Sequence, residues 1–144
     1  MPTVYLGLGS NLGHKRYNVK RAIQKIEELI GTVECQSALY VSRPWGYDSK
    51  NMFVNAVVRC STQLSPRELL AATQQIEQQM GKTVRSQKGN DGRLLQGHTY
   101  HDRRIDIDIL LYDDLHIDEP DLQIPHPLMQ ERDFVMIPLR EVLP

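Results

Sequence analysis

The 144-residue chain carries 17 basic and 18 acidic side chains, and its formal net charge of −1 argues against general attraction to nucleic acid or membranes. Its length predicts one domain, residues 1–144, that buries a core of its own and contains no apolar run long enough to span a bilayer. Cys35 and Cys60 have no CxxC spacing, and the N-terminus lacks a signal-peptide pattern, so we expect a cytoplasmic protein without a disulfide.

Apolar residues recur with two different periods along the chain, and these periods predict the secondary structure. The predicted elements are strand 4–9, helix 19–30, strand 33–41, strand 52–60, helix 66–80 and strand 103–112. The second helix has the clearest start, because Ser65-Pro66-Arg67-Glu68 forms a capping box with proline at the first helical position.

The order β-α-β-β-α-β predicts an α+β fold of the ferredoxin-like type, in which an antiparallel sheet carries both helices on one face. The pattern after the last strand predicts a C-terminal extension with a hairpin at Asp113-Asp114 and a short helix near Leu128. We expect this extension to cover the open face of the sheet.

The last predicted strand is the most informative segment. Its alternation predicts an apolar face formed by Ile105, Ile107, Ile109 and Leu111. Asp106 and Asp108 fall together on the opposite face, with their Cα atoms about 7 Å apart. Aspartate is a poor strand former, and two carboxylates this close repel each other unless a cation lies nearby. The pair therefore indicates a Mg²⁺ site, although a strand with a charged solvent-facing side is an equally ordinary explanation.

Three other segments contain candidate ligand-binding residues. The long basic stretch 82–102 has no periodicity, which favours a lid or binding loop over a solvated insert. His126 is held between two prolines, a rigid turn that suits either a phosphate contact or a turn-capping histidine. Phe53 and Asn55 share one face of their strand, where a ring and an amide can stack on a flat heterocycle and read its edge, or simply face solvent.

The opening stretch contains glycines at positions 7, 9 and 13, one residue too widely spaced for a dinucleotide-binding fingerprint. We interpret these glycines as serving a tight turn and close helix packing.

Together these segments resemble one family, the 6-hydroxymethyl-7,8-dihydropterin pyrophosphokinases of folate synthesis. The resemblance covers nearly the whole chain and is most specific in the aspartate strand and in the Pro-His turn behind it. The matching motifs are Gly7 to Gly13, Phe53-Val54-Asn55-Ala56, Gln74-Gln75-Ile76-Glu77, Arg103 to Ile109, Ile124 to Pro127 and Arg132-Asp133-Phe134.

The resemblance implies that the protein transfers the β,γ-pyrophosphoryl unit of ATP to the hydroxymethyl group of a reduced pterin and releases AMP. It implies two Mg²⁺ ions bound by Asp106 and Asp108, with Arg103 as a further catalytic residue. By motif position, the ATP contacts would be Gln74, Glu77, Lys82, Arg85, Tyr100, Ile109, His126 and Arg132. The pterin pocket would be formed by Ser42, Arg43, Pro44, Phe53, Asn55 and Phe134.

Two other functions fit parts of the sequence. A ferredoxin-like regulatory module could bind a small ligand without chemistry, but it would not require paired aspartates. A metal-dependent phosphohydrolase could use His101, Asp102, Asp106 and Asp108, and it would release inorganic phosphate without a pterin. The nucleotide product formed with ATP, Mg²⁺ and the reduced pterin distinguishes these functions.

Overall fold

The computed structural model describes residues 1–44, 51–81 and 104–144. The strands in these ranges are β1 Thr3–Ser10, β2 Gly31–Gln36, β3 Tyr40–Ser42, β4 Phe53–Thr62, β5 Asp106–Tyr112, β6 Ile117–Glu119 and β7 Leu122–Ile124. The α-helices are α1 Lys15–Leu29, α2 Pro66–Gln79 and α3 Asp133–Val142, and a short 3-10 helix, Met129–Glu131, precedes α3.

The main sheet is antiparallel, with strand order β2-β4-β1-β5 and with β3 also paired to β4. The predicted strand 33–41 is divided into β2 and β3 at Ser37, whose hydroxyl accepts a 2.9 Å hydrogen bond from the backbone N–H of Val57. The strand order and directions are those of the ferredoxin-like fold, so the predicted fold class is confirmed.

Both faces of the sheet are covered by helices. The helices α1 and α2 pack on one face, around buried residues that include Val4, Leu6, Leu8, Ile26, Leu69, Ile76 and Ile107. The helix α3 packs on the opposite face, in a smaller cluster formed by Tyr5, Val57, Leu110, Met129, Val135, Leu139 and Val142. The C-terminal extension therefore covers the second face, as predicted. Over the described ranges, no helix is long and apolar enough to cross a bilayer.

One predicted face of β5 was wrong beyond Ile109. The register between β1 and β5 shifts at Leu110, which is an extra residue on the β5 side. A bulge of this kind interrupts the alternation of side chains. Leu111 therefore joins Leu110 on the α3 side instead of lying with the isoleucines. Tyr112 takes the next position in the core under α1 and α2, which is called the helix-side core below.

The predicted C-terminal hairpin was placed too early in the chain. A turn does follow β5, with Asp113 at a φ of 48°, but the hairpin is formed by β6 and β7 around residues 120–121. Arg67 of α2 forms ion pairs with Glu119 and Asp121, and its hydrogen bond lowers the pKa of Asp121. These half-exposed ion pairs connect the hairpin with the start of α2.

The capping box predicted at the start of α2 is present, and it yields a test of the fold. The Glu68 N–H donates to Ser65 Oγ at 3.2 Å, and the Ser65 N–H donates to Glu68 Oε1 at 2.8 Å. We expect Ser65→Ala to lower the free energy of unfolding by about 1 kcal/mol, because an N-cap acceptor is lost. Urea denaturation measures this change. Ser65→Asp keeps a capping acceptor and should retain most of the stability, so an equal loss in both variants would contradict the capping explanation.

Candidate active site

The aspartate pair lies beside bare backbone. Asp106 of β5 pairs with Gly9 of β1, and Asp108 pairs with Gly7. Residues paired across an antiparallel sheet project to the same face, so both carboxylates stand next to positions without a side chain. Side chains of neighbouring strands lie over these two positions, Leu110 over Gly7 and Asn55 with Phe53 over Gly9. Gly7 and Gly9 face away from α1 and α2, so they do not serve close packing against those two helices, whereas Leu110 over Gly7 belongs to the α3-side cluster.

A row of in-register residues connects the carboxylates with the amide of Asn55. Gly9 pairs with Asp106 on one side and with Asn55 of β4 on the other. Two strand spacings put the Cα atoms of Asn55 and Asp106 about 10 Å apart. A Cβ atom built on Gly9 would lie 3.1 Å from Asn55 Oδ1 and 3.4 Å from Phe53 Cδ1, so both side chains lie against the glycine.

The amide of Asn55 has a fixed orientation. Its Nδ2 donates to the Tyr40 carbonyl oxygen at 2.9 Å and to Ser42 Oγ at 2.8 Å. A carbonyl oxygen can only accept, so rotating the amide would place two acceptors against each other. Asn55 is 3% exposed, and its Oδ1 faces Gly9. The buried amide therefore presents an acceptor to the space over Gly9.

Glu77 fixes the strand between the two aspartates. Its carboxylate is buried, at 5% exposure, and Oε2 accepts a 2.8 Å hydrogen bond from the backbone N–H of Ile107. Among the described strands, β5 lies at the edge of the sheet, so its outward N–H groups face none of the other described strands. Glu77 of α2 supplies an acceptor and thereby ties the aspartate-bearing strand to the helix.

His126 lies beside Asp108 with one nitrogen already engaged. Its backbone N–H donates to the Leu110 carbonyl at 3.0 Å, and its Nδ1 accepts from the Leu128 N–H at 3.3 Å. In a neutral imidazole an accepting Nδ1 places the proton on Nε2. Nε2 is 4.0 Å from Asp108 Oδ2. The histidine therefore caps its own turn, as one of the two interpretations predicted, and directs a donor towards the aspartates.

Arg132 and Phe134 lie at the start of α3. The Arg132 side chain is 8% exposed, and its Cζ is 5.6 Å from the centre of the Phe134 ring, within the range of a cation–π contact. Phe134 packs at the margin of the α3-side cluster. A guanidinium and an aromatic ring are thus held together next to the apolar part of this face.

The remaining predicted residues differ in position. Ser42 pairs with Phe53, and Arg43 and Pro44 follow it directly after β3. Gln74 is exposed on α2, one turn before Glu77. The Ile109 side chain is buried in the helix-side core at 6% exposure, which leaves its backbone for any ligand contact. Outside the described residues lie Lys82, Arg85, Tyr100 and Arg103, the predicted lid 82–102, and His101 and Asp102 of the alternative phosphohydrolase site.

The aspartate pair fits Mg²⁺ bound jointly with substrate phosphates. Mg²⁺ commonly takes one or two carboxylates and completes its shell with phosphate oxygens and water. Asp106 and Asp108 supply two carboxylates on one face, and the Asp108 side chain is 30% exposed. Within the described ranges no group of three or more histidine, cysteine or acidic residues could hold a metal by itself. This donor set suits an ion that arrives with a nucleotide.

Comparison with known proteins gives close sequence relatives over the full length. Residues 5–144 match the model of the family described as 7,8-dihydro-6-hydroxymethylpterin-pyrophosphokinase. A 2-amino-4-hydroxy-6-hydroxymethyldihydropteridine pyrophosphokinase of Porphyromonas gingivalis is 42% identical over 145 residues, which span 100% of this chain and 92% of the relative. The enzyme of the same name from Aquifex aeolicus is 40% identical over 144 residues, which span 100% of this chain and 82% of the relative.

Solved structures share the fold at low identity. An HPPK-DHPS in complex with substrates superposes with a TM-score of 0.72 at 13% identity, covering 98% of this chain and 40% of the other. Wild-type Plasmodium falciparum HPPK-DHPS with pteroate gives 0.72 at 15% identity, covering 99% and 39%. This chain therefore spans about two fifths of those longer proteins, and the likeness supports the fold.

Paired carboxylates with a histidine beside them are groups suited to phosphoryl transfer with metal ions. The sequence match makes this chemistry specific: the chain belongs to the 7,8-dihydro-6-hydroxymethylpterin-pyrophosphokinase family. The predicted family and the predicted enzyme class, an ATP-dependent pyrophosphoryl transferase, are confirmed. The regulatory-module and phosphohydrolase alternatives have no such support.

The aspartate pair can be tested by removing one charge at a time. We expect Asp106→Asn and Asp108→Asn each to lower turnover by more than about 100-fold, because each change removes a charged oxygen that would bind a metal ion at the reacting phosphates. Both side chains point away from the helix-side core, so the melting temperature of the protein without ligands should not fall. Steady-state kinetics and thermal unfolding measure these effects. Asp114→Asn, an exposed position just after β5, is the matched control. Near-normal turnover in both site variants would contradict the assignment.

Proposed function

We propose that the protein transfers the pyrophosphoryl group of ATP to the hydroxymethyl group of 6-hydroxymethyl-7,8-dihydropterin, giving AMP and the pterin diphosphate for folate biosynthesis. One observation carries this proposal. A fixed amide beside an aromatic ring and a pair of carboxylates share one face of the sheet, with Gly9 in register between them. Membership of the family supplies the chemical identity of the two substrates.

The pterin half of the site is proposed around Asn55. A pterin ring carries N–H donors on one edge, and an acceptor such as Asn55 Oδ1 is their complement. Phe53 lies against Gly9 on the same side, and Phe134 lies at the start of α3, so the two rings are proposed to enclose the heterocycle. Ser42 holds the amide in place, and Arg43 and Pro44 would line the rim of the pocket.

The phosphate half is proposed around the aspartates. Asp106 and Asp108 would hold two Mg²⁺ ions together with the triphosphate, and the ions would offset phosphate charge and acidify the attacking hydroxyl. The Nε2–H of His126 is directed at this region and can donate to a phosphate oxygen. Arg132 would add a permanent positive charge from the start of α3. These groups orient the triphosphate without forming a covalent bond to it.

The nucleoside is proposed to lie along the outer edge of β5. The N–H of Ile107 points outward to Glu77, and Ile109 follows two residues later in the same unbroken register, so its N–H also faces outward. A backbone group on that edge can bond the edge of an adenine ring. Gln74 and Glu77 lie on the helix that borders this edge. Lys82, Arg85, Tyr100 and Arg103 stay predicted contacts outside the described residues.

Positioning accounts for most of the proposed catalysis. Phosphoryl transfer requires an in-line approach and charge stabilisation more than covalent help from the protein. The Cα atoms of Asn55 and Asp106 are about 10 Å apart, a distance comparable to the length of a pterin ring with its hydroxymethyl arm. An amide that holds one end of the ring would therefore direct the arm towards Asp106.

Several broader expectations belong with this proposal. The partners are expected to be the two small-molecule substrates, with no nucleic acid and no membrane. One domain over residues 1–144 and a cytoplasmic location both stay predictions from composition and length.

Asn55 gives a selective test of the pterin half. We expect Asn55→Ala to weaken binding of the reduced pterin by about 10- to 100-fold, because a ring N–H would be left without its acceptor. Binding of an ATP analogue should barely change, since the proposed nucleotide contacts lie on β5, α2 and the Pro-His turn. Calorimetric titration with each ligand measures both affinities. Equal weakening of the two ligands would show that the pocket is assigned wrongly.

The nucleotide product tests the reaction itself. With ATP, Mg²⁺ and the reduced pterin, we expect AMP and pterin diphosphate in equal amounts, because the aspartates would hold ions around the α- and β-phosphates and expose the β-phosphorus to attack. Without the pterin, hydrolysis of ATP should be negligible. Phosphorus NMR of the mixture distinguishes the outcomes. ADP as the main product would indicate transfer of a single phosphoryl group, and rapid phosphate release without pterin would indicate a hydrolase.

A further inference from the structure

We propose that Gly9 is a specificity-determining position, whose missing side chain sets the depth of the heterocycle pocket and the direction in which the bound ring points. This inference rests on the proposed function and concerns which residue shapes the pocket. Gly9 lies in β1, between β4 and β5, and is paired in register with Asn55 of β4 and with Asp106 of β5.

The space next to the Gly9 Cα atom is too small for an added side chain. A Cβ atom at Gly9 would lie 3.1 Å from Asn55 Oδ1 and 3.4 Å from Phe53 Cδ1. The first distance is shorter than a normal carbon–oxygen contact, so a side chain of even one carbon would have to displace a neighbour. Glycine is unfavourable inside a strand, and the close approach of Asn55 and Phe53 explains why it is present at this position.

The neighbour that has to move can be identified. Asn55 is bound through Nδ2 to the Tyr40 carbonyl and to Ser42 Oγ, and moving it would break hydrogen bonds of 2.9 and 2.8 Å. Phe53 is partly exposed and lies slightly farther from the added carbon, with Cδ1 at 3.4 Å. Moving its ring would not relieve the 3.1 Å contact with Asn55 Oδ1, so an added methyl group would have to displace the anchored amide, whose oxygen is the acceptor proposed for the ligand.

Gly7 provides an internal comparison. It lies on the same face of the same strand, two residues earlier, and pairs with Val57 and Asp108. The three heavy atoms nearest to a Cβ atom at Gly7 all belong to the Leu110 side chain, at 3.4 to 3.6 Å, which is ordinary van der Waals contact. Both positions gain the same methyl group on substitution by alanine, but only Gly9 borders the amide.

The register also gives the pocket a direction. The row from Asn55 over Gly9 to Asp106 runs perpendicular to the strands. At its centre Gly9 contributes only backbone atoms, which form the floor of the proposed pocket. A flat ring bonded at one end to Asn55 Oδ1 can lie across this floor with its opposite end towards Asp106. A methyl group on Gly9 would raise the floor at the middle of the row, so it would disturb both the depth and the alignment.

The experiment compares Gly9→Ala with Gly7→Ala in the full-length chain. Binding of the reduced pterin is titrated by calorimetry in the presence of Mg²⁺ and a non-hydrolysable ATP analogue, and binding of the analogue is titrated separately. We expect Gly9→Ala to raise the pterin dissociation constant by about tenfold or more, with less than a twofold change for the analogue. Gly7→Ala should change the pterin constant by no more than about twofold.

A thermal-unfolding cycle gives a second readout that does not depend on ligand binding. Gly9→Ala should lower the melting temperature more in the wild-type background than in an Asn55→Ser background, because the shorter side chain makes room for the methyl group. Equal effects in both backgrounds would contradict the proposed clash. If Gly9→Ala does not fold, recovery of the fold by Asn55→Ser supports the proposal, and failure to recover contradicts it.

The outcomes separate this inference from the proposed function. If the wild-type protein binds no reduced pterin, the proposed function is wrong. If the wild-type protein binds it and Gly9→Ala binds it equally well, the function stands and the role of Gly9 is wrong. Equal loss in Gly7→Ala and Gly9→Ala would also overturn the role of Gly9, because the effect would not follow the contact with Asn55.

Discussion

The register of β1 between β4 and β5 is the constraint on which the rest of the site depends. In this register the even-numbered residues of β1 enter the helix-side core, and Gly7 and Gly9 face the carboxylates. A slip of one residue would reverse every side chain of the strand. Leu8 would then lie between Asn55 and Asp106, and its side chain would fill the position that Gly9 leaves empty. The buried leucines on one face therefore specify the empty positions on the other.

The bulge at Leu110 divides the second face of the sheet into two parts. Before the bulge, the outward residues of β5 are the aspartates, and they border the glycines of β1. After it, Leu110 and Leu111 both turn towards α3 and extend its apolar cluster. On the same face of the sheet, β5 thereby contributes polar side chains to the site and apolar side chains to the core under α3. The bulge also brings the Leu110 carbonyl to the backbone N–H of His126, which places the histidine at the boundary.

Local patterns in the sequence were sufficient for the fold class, the alternating aspartates and the pairing of Phe53 with Asn55 on one face. They were insufficient where a contact joins distant segments. The bond from Glu77 to the Ile107 N–H spans 30 residues, and no periodic pattern encodes it. The bulge also leaves no signal, since it depends on the neighbouring strand, whereas the polar Ser37 in an otherwise apolar face marks where the second strand divides. For Gly9, a glycine at every second position of a predicted strand was an available signal of close approach.

Glu77 explains how acidic residues can be tolerated together at the edge of the sheet. A buried carboxylate is costly unless it is hydrogen-bonded, and the Ile107 N–H supplies a bond between two further aspartates in the strand. That bond fixes the backbone of β5 through a contact with α2. The geometry of the aspartate-bearing strand is therefore set by the fold, so the two carboxylates are preorganised on one face of the sheet before any ligand binds.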